Sequence, residues 1–265
     1  MITFPNAKIN LGLNIVSKRE DGYHNIESCF YPIPWHDSLE VIEAASFAFY
    51  SYGLDIPGDT SSNLCVKAYE LLKADFDIPP IEIHLLKNIP MGAGLGGGSA
   101  DGAFTLKMLN DIFSLNLTNP QLENYALQLG SDCPFFIKNQ PAIATGRGEQ
   151  LEPIDLNLSG YYLAIHNPGI HISTKEAYAG VNPGQPDTPV SEFIKKPIEM
   201  WKDTLHNNFE ASIFPNHPEI EKLKNEMYDE GAIYASMTGS GSTVFGVFED
   251  RVSNSEWFFF KLKIK

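Results

Sequence analysis

The sequence predicts an α+β fold in which strands and helices are arranged around a glycine-rich loop. Residues 81–85 alternate polar and apolar side chains, residues 90–100 contain five glycines, and a helical pattern follows from Asp101 to Phe113. After residue 160 the pattern runs strand, helix, helix, strand, strand. That order is typical of helices packed on one antiparallel sheet.

Two strands joined by a hairpin are predicted near the N-terminus. Residues 8–16 alternate along most of their length, so Lys8 and Asn10 share the face opposite the core. The Asp-Gly pair at 21–22 is a strong hairpin signal, and the second strand is expected to follow over residues 23–33.

A third strand, an edge strand and a helix are predicted before the glycine run. The third strand covers residues 38–42, and residues 46–60 are expected to form an edge strand and a loop. The helix runs over residues 63–74. Asn63 is its predicted N-cap, because an asparagine side chain can accept a hydrogen bond from a free amide of the first turn.

The remainder of the chain is predicted to hold a second region of helices and sheet. The composition changes around 153–160, which divides the chain into domains 1–155 and 156–265. The other predicted elements are a helix at 121–129, a turn at 130–134 followed by a strand, a hairpin at 142–153, a strand at 161–166, a helix from Thr174 capped by Ser173, helices at 193–211 and 218–230, a hairpin at 232–248, and a last strand or helix at 257–264.

The glycine run from Pro90 to Ala100 is predicted to bind a phosphate. Glycines let the backbone approach a ligand closely, and the helix N-terminus behind them offers unpaired amides. A Walker loop is excluded, because the chain has no Gly-Lys-Ser or Gly-Lys-Thr. Gly92, Gly94 and Gly97 fit a dinucleotide pattern, but a second helical segment follows where that fold requires a parallel strand. A different phosphate loop with Ser99 at the helix mouth is favoured over a flexible turn without a ligand.

Composition limits the class of partner. The chain has 265 residues, 43% of them hydrophobic, and a net charge of −14, which argues against nucleic acid or an anionic membrane as its main partner. Cys29, Cys65 and Cys133 form no C-x-x-C pair and predict reduced thiols. The chain shows no apolar signal core and no apolar run near the ~20 residues of a membrane helix. We expect a soluble cytoplasmic protein, monomeric or homodimeric.

Four stretches of this sequence resemble motifs of one known protein family and occur in the same order along the chain. They are Pro5-Asn6-Ala7-Lys8-Ile9-Asn10-Leu11, Arg19-Glu20-Asp21-Gly22-Tyr23-His24, Pro90 to Ala100, and Met237-Thr238-Gly239-Ser240-Gly241-Ser242. They resemble motifs of the GHMP kinases, named for galactokinase, homoserine kinase, mevalonate kinase and phosphomevalonate kinase. The second stretch, together with Gly130-Ser131-Asp132-Cys133-Pro134-Phe135-Phe136, is similar to the branch that acts on 4-diphosphocytidyl-2-C-methyl-D-erythritol. Asn6, Ser17, Ala100 and Cys133 depart from the family pattern, which bears on efficiency and not on reaction class.

The resemblance implies a fold and a reaction. The fold is two-lobed, with an N-terminal lobe like ribosomal protein S5 domain 2 and a C-terminal ferredoxin-like α/β sandwich. The reaction transfers the γ-phosphoryl group of ATP, with Mg²⁺, to a hydroxyl of a cytidine-diphosphate-linked polyol. Ser99 is a candidate Mg²⁺ ligand. The ATP-binding residues implied are Pro90, Met91, Gly92, Ala93, Gly94, Leu95, Gly96, Gly97, Gly98, Ser99, Ala100, Asn63 and Lys87. For Asn63 and Lys87, a helix cap and an exposed charge are the structural alternatives.

The resemblance also implies a catalytic pair. Asp132 would accept the proton of the acceptor hydroxyl, and Lys8 would lie beside it near the transferred group. A lysine beside an aspartate favours the charged carboxylate and makes it a weaker base. Asp132 is therefore either a true base or a charge that orients the hydroxyl, and a structural ion pair is the alternative to both.

Five residues are implied on the acceptor side. Tyr23 would stack on one face of the cytosine and Tyr178 on the other, while His24 would hydrogen-bond its edge. Asn10 and Thr174 would contact the polyol or the diphosphate. The alternatives are that Tyr23 packs in the sheet and that His24 is a buried histidine with satisfied hydrogen bonds.

Two other functions are compatible with the same motifs. One is another GHMP kinase, acting on a mevalonate-type or homoserine substrate. The other is a nucleotide-binding regulator that has lost catalysis, against which Lys8, Ser99 and Asp132 all argue. An assay of ADP release over a panel of acceptors separates the three.

Overall fold

The computed structural model describes residues 1–186 and 188–263 and confirms the α+β class. The chain divides into two compact units, each made of separate stretches, whereas the sequence predicts a single boundary near residue 155. The first 34 residues are distributed over both units, so this division is not a single cut in the sequence, and the boundary at 155 stays a prediction. The first unit contains Met1–Lys8, Trp35–Met91 and Gly96–Gln140, and the second contains Ile9–Pro34, Gly92–Leu95 and the chain from Pro141 onward.

Strands dominate the N-terminal third, and helices and strands are interspersed thereafter. The strands in the described residues are β1 (Ile2–Thr3), β2 (Asn6–Lys18), β3 (His24–His36), β4 (Ser38–Glu43), β5 (Ala48–Gly53), β6 (Ile81–Lys87), β7 (Ala142–Thr145), β8 (Gln150–Pro153), β9 (Tyr162–His166), β10 (Tyr234–Met237), β11 (Val244–Phe248) and β12 (Phe258–Lys261). The helices there are α1 (Leu64–Asp75), α2 (Gly97–Ile112), α3 (Asn119–Leu129), α4 (Phe135–Lys138), α5 (Thr174–Ala179), α6 (Val190–Phe193), α7 (Asn208–Ile213) and α8 (Pro218–Asp229). None of these helices is long and apolar enough to span a bilayer.

The first unit is built on a sheet with the strand order β1-β4-β6-β5. β6 pairs antiparallel with β4 and parallel with the edge strand β5. Its predicted alternation is confirmed, because Ile81, Ile83 and Leu85 are buried and the intervening side chains are not. α2 packs on α1 and on β4, so this sheet and its helices hold both ends of the glycine run.

The second unit holds most of one sheet and all of another. The strand orders are β2-β3-β7-β8 and β10-β11-β9-β12. Every pair in the second sheet is antiparallel, and α8 packs on β10 and β11. The predicted sandwich of helices on an antiparallel sheet is therefore confirmed. Its core contains large side chains such as Phe209, Met227, Phe248 and Trp257.

Three predicted elements differ from the structure. Residues 193–211 were expected to be one helix, but they break into α6, a 3₁₀ turn at Ile198–Met200 and α7, because Pro197 has no amide to donate and Asn207 caps a new helix. The apolar run after Asp132 is the single helical turn α4, which ends at Asn139 with a left-handed backbone. The last predicted element contains the strand β12, and its final residue, Ile264, lies outside the described residues.

Candidate active site

The glycine run ends inside the first turn of α2. Gly96 precedes the helix with a left-handed backbone (φ 70°), which other residues rarely adopt. α2 begins at Gly97, so Ser99 and Ala100 lie in its first turn, four residues earlier than the predicted start. The first amides of a helix have no acceptor within it. This end of α2 therefore offers hydrogen-bond donors to a phosphate.

Lys8 and Asp132 lie together beside this helix start. The Lys8 ammonium is 3.4 Å from the Asp132 carboxylate. Lys8 is only 3% exposed, whereas the side chain of Asp132 is 33% exposed. A side-chain carbon on Gly96 would come within 3.1 Å of both Lys8 and Phe136. The predicted pair is thus assembled next to Gly96, the residue that precedes α2, with the carboxylate accessible to a ligand.

Ser99 is held next to the turn that carries Asp132. Its hydroxyl lies close enough to the thiol of Cys133, the residue that follows Asp132, to lower the pKa of that thiol. Burial raises the pKa of Cys133 to about 12, so the thiol stays protonated near neutral pH and is not a nucleophile. Ser99, Asp132 and Lys8 consequently surround the same end of α2.

Lys87 is fully buried between two carboxylates, so the alternative of an exposed charge is wrong. Its ammonium donates to Asp37 and, at 2.9 Å, to Asp101 in the first turns of α2. Asp37 also accepts the amides of Asn88 and Ile89, at 2.6 and 2.8 Å. These contacts join the end of β6 to the start of α2. Any contribution of Lys87 to ATP binding remains a prediction.

The cluster around Lys87 contains one cation and two carboxylates. Burial lowers the pKa of Lys87, but Asp101 and Asp37 raise it by more, so the net shift is upward. Burial raises the pKa of Asp101 to about 7 and outweighs the effect of Lys87. The second oxygen of Asp101 is buried without a hydrogen-bond partner. One ammonium does not neutralise both carboxylates, and burial shifts Asp101 towards its protonated form.

A cavity of about 90 Å³ lies beside the phosphate loop in the first unit. Met91 and Gly98 form its loop side, and Ser62, Asn63 and Asp101 contribute its polar side chains. Asn63 caps α1, because its side chain accepts the amide of Cys65 at 2.9 Å. The predicted helix cap is confirmed. A further contact of Asn63 with a nucleotide stays a prediction that its place in the cavity wall supports.

The predicted aromatic residues of the acceptor side lie in the second unit. His24 and Tyr178 stack with their ring centres 4.4 Å apart and their planes at 18°. Burial, followed by the charge of Lys18, lowers the pKa of His24, which is half-buried and not a core residue. Tyr23 is 56% exposed, so it does not pack in the sheet. His24 therefore covers one face of the Tyr178 ring.

The other two predicted acceptor residues differ in accessibility. Asn10 is 1% exposed, and its side chain donates to Ser28 at 2.8 Å and accepts from Thr238 at 3.2 Å. Thr174 is the exposed first residue of α5. Asn10 is thus part of a buried hydrogen-bond network, whereas Thr174 is accessible to a ligand.

Sequence reasoning missed several residues around these sites. Arg147 places its guanidinium 4.9 Å from the centre of the Tyr23 ring, close enough for a cation–π contact. Its signal was an arginine flanked by two glycines in a predicted hairpin loop. Asp37 and Asp101 carried no signal, because they meet Lys87 only through contacts between residues distant in sequence.

The fold and the site together define a class of protein. Two α+β units, a glycine loop that opens onto a helix N-terminus and a lysine–aspartate pair beside it are the features of a small-molecule kinase. Residues 63–146 match the model of the GHMP kinases N terminal domain, and residues 190–256 match that of the GHMP kinases C terminal.

Known proteins are similar in sequence to this chain along almost its entire length. A 4-diphosphocytidyl-2-C-methyl-D-erythritol kinase of Parabacteroides distasonis is 54% identical over 249 residues, which are 94% of this chain and 92% of that protein. The enzyme of the same name from Bacteroides fragilis is 50% identical over 274 residues and 100% of both chains. A crystal structure of 4-(cytidine 5'-diphospho)-2C-methyl-D-erythritol kinase is 32% identical, with a TM-score of 0.80 over 93% of this chain and 90% of that one. The chain belongs to the GHMP kinase family, in the branch of these relatives.

Because the pKa of Asp101 is raised, we expect the free energy of unfolding to depend on pH. Between the ordinary carboxyl pKa of about 4 and its value of about 7 in the folded protein, the folded state binds this proton and the unfolded state does not. The group therefore makes the free energy of unfolding fall as the pH rises through that window. Asp101→Asn is expected to reduce that fall, which urea denaturation at about pH 5 and about pH 7.5 measures.

The matched control is Asp111→Asn, which changes an exposed carboxylate on the same helix. It is expected to leave the difference between the two pH values as in the unaltered protein. An Asp101→Asn variant with the same difference would contradict the assignment of the buried proton.

Proposed function

We propose that this protein phosphorylates the 2-hydroxyl of 4-diphosphocytidyl-2-C-methyl-D-erythritol with ATP, a step of the non-mevalonate route to isoprenoid precursors. The observation that carries the proposal is the Lys8–Asp132 pair at the start of α2, within a chain whose relatives are named for this substrate. The buried free thiols fit a reducing cytoplasm.

The phosphate loop would hold the triphosphate. The backbone from Pro90 to Ala100 and the first amides of α2 would donate to its oxygens. A Mg²⁺ bound mainly by phosphates takes only one or two protein oxygens. The Ser99 hydroxyl and the Asp132 carboxylate are hard oxygen donors of the kind that such an ion takes, and they would hold it. Such an ion supplies charge neutralisation between the phosphates when it is bound.

Lys8 and Asp132 would act on the acceptor. The acceptor oxygen attacks the γ-phosphorus, the bond from that phosphorus to the bridging oxygen breaks, and ADP leaves. The hydroxyl proton passes to Asp132, or Asp132 orients the hydroxyl while the proton leaves with solvent. The Lys8 ammonium stabilises the charge on the transferred group. Its burial keeps that charge from being screened by water.

The acceptor side would use the exposed residues of the second unit. Tyr23 offers a ring face for cytosine stacking, and Arg147 offers a guanidinium beside that ring. His24 would turn from Tyr178 to the base edge and free the Tyr178 face. Thr174 would contact the polyol or diphosphate, and Asn10 would contribute through the buried network that it forms.

The direct test measures ADP release over a panel of acceptors. We expect turnover with 4-diphosphocytidyl-2-C-methyl-D-erythritol and none above background with mevalonate or homoserine. Turnover with mevalonate alone would contradict the assigned substrate. ATP binding without turnover on any acceptor would instead indicate a regulator that has lost catalysis.

Asp132→Asn tests the catalytic pair. The change keeps the size of the side chain and removes its charge, so we expect turnover to fall by about 100-fold or more while ATP binding stays within about threefold, judged by a titration. Asp77→Asn, at an exposed position of the same unit, is the control. Normal turnover in Asp132→Asn would rule out both the base and the orienting role.

Tyr23 variants test the cytosine site. Tyr23→Ala is expected to raise the acceptor KM by roughly tenfold, since stacking contributes ~1–3 kcal/mol per base, and to leave the ATP KM unchanged. Tyr23→Phe keeps the ring and should behave as the unaltered enzyme. Equal acceptor KM values for the alanine and phenylalanine variants would show that the ring does not stack on the substrate.

A further inference from the structure

A second glycine-rich turn packs directly on the phosphate loop. We call residues 237–242, which run from the last residue of β10 towards the start of β11, the C-terminal turn. A side-chain carbon on Gly94 would lie 1.9 Å from the Thr238 carbonyl oxygen, and one on Gly241 would lie 2.3 Å from the Ala93 carbonyl carbon. No side chain fits at either position. Residues 93–94 and the C-terminal turn therefore meet backbone to backbone.

Hydrogen bonds reinforce this contact through Thr238. Its hydroxyl accepts the amide of Asn10 at 3.0 Å, and its one hydrogen is shared between the Gly94 carbonyl and the Asn10 side-chain oxygen, each at 3.2 Å. The position of Gly94 in the phosphate loop thus depends on where the C-terminal turn places Thr238.

Asn207 fixes the shape of that turn. Its side chain is buried, and its amide group donates to the carbonyls of Met237 and Gly239, each at 2.8 Å. These carbonyls flank Thr238 on both sides. The side-chain oxygen of Asn207 accepts the amide of Phe209 at 3.0 Å and so caps α7. Both hydrogens and the oxygen of one carboxamide are therefore used.

We propose that Asn207 is a positioning residue for phosphoryl transfer: by holding the two carbonyls beside Thr238, it sets the C-terminal turn against Ala93 and Gly94 and so sets the phosphate loop. The inference rests on the proposed function for the role of the loop. Its physical reason is that small displacements of groups that hold a reacting phosphate lower the rate strongly. A role limited to capping α7 is the opposing account.

Asn207→Asp separates these two accounts. Aspartate keeps the size and the capping oxygen but presents a second oxygen, in place of the amide donor, to the carbonyls of Met237 and Gly239. We expect the ATP KM to rise, or kcat to fall, by roughly tenfold to a hundredfold. We also expect faster hydrogen exchange at the amides of 92–95 and 237–242, with exchange in α1 unchanged.

Asn208→Ala is the matched control. Its side chain accepts the amide of Ile15 at 2.8 Å and, among the described residues, makes no hydrogen bond to the C-terminal turn. This variant is expected to match the unaltered protein in ATP KM, in kcat and in exchange at 92–95. The comparison is made well below the melting temperature of each variant, so that a loss of global stability does not enter the kinetics.

A positioning role of Asn207 and a role limited to capping α7 predict different results. Asn207→Asp with a lower melting temperature but unaltered ATP KM, kcat and exchange at 92–95 would overturn the proposal and leave only the cap. If that variant does not fold, Asn207→Ser, which keeps a capping oxygen but is too short to bridge both carbonyls, is judged by the same readouts. Should the unaltered protein bind ATP without phosphorylating the acceptor, the proposed function fails, while exchange at 92–95 still decides the role of Asn207.

Discussion

The buried contact of Lys87 with Asp37 and Asp101 is the interaction on which the geometry of the phosphate loop depends. It joins the end of β6, the turn before β4 and the first turns of α2. Asp37 also binds the amides of the two residues that leave β6. Removing one partner of a buried ion pair typically costs about 3–5 kcal/mol, because the remaining charge is left without a partner. The cluster therefore determines where the loop starts and where the helix that receives phosphate begins.

The phosphate loop has to combine two properties that conflict. Its amides must be exposed to a ligand, so they do not form the internal hydrogen bonds that make most backbone rigid. Rigidity must then come from neighbours. In the first unit the ion cluster holds residues 97–101, and in the second unit the C-terminal turn holds residues 93–94. Glycine is required at Gly94 because of this close approach, and at Gly96 because of its left-handed backbone.

Local patterns predicted most of the fold and the centre of the site. Alternation predicted β2 and β6, the Asp-Gly turn predicted the hairpin before β3, and Asn63 predicted the start of α1, because each depends on residues near one another in sequence. The resemblance to GHMP kinases brought Lys8 and Asp132 together, which spacing alone does not do. Contacts over long separations were missed, such as Asp37 with Lys87 and Arg147 with Tyr23. The break at Pro197 was readable from the sequence but was overlooked.

The charge of the chain and the charge of its ligands pose an electrostatic problem that the site resolves locally. A net charge of −14 repels a nucleoside triphosphate, but at physiological salt charges are screened beyond about 8 Å. The charges near the loop therefore determine whether a nucleotide is attracted to it. The ammonium of Lys87 is buried against two carboxylates and adds little attraction. The helix N-terminus and Lys8 are sources of positive charge at this end of α2, and Lys8 shares its charge with Asp132. The amides at the start of α2 therefore supply much of the local attraction for an anionic ligand.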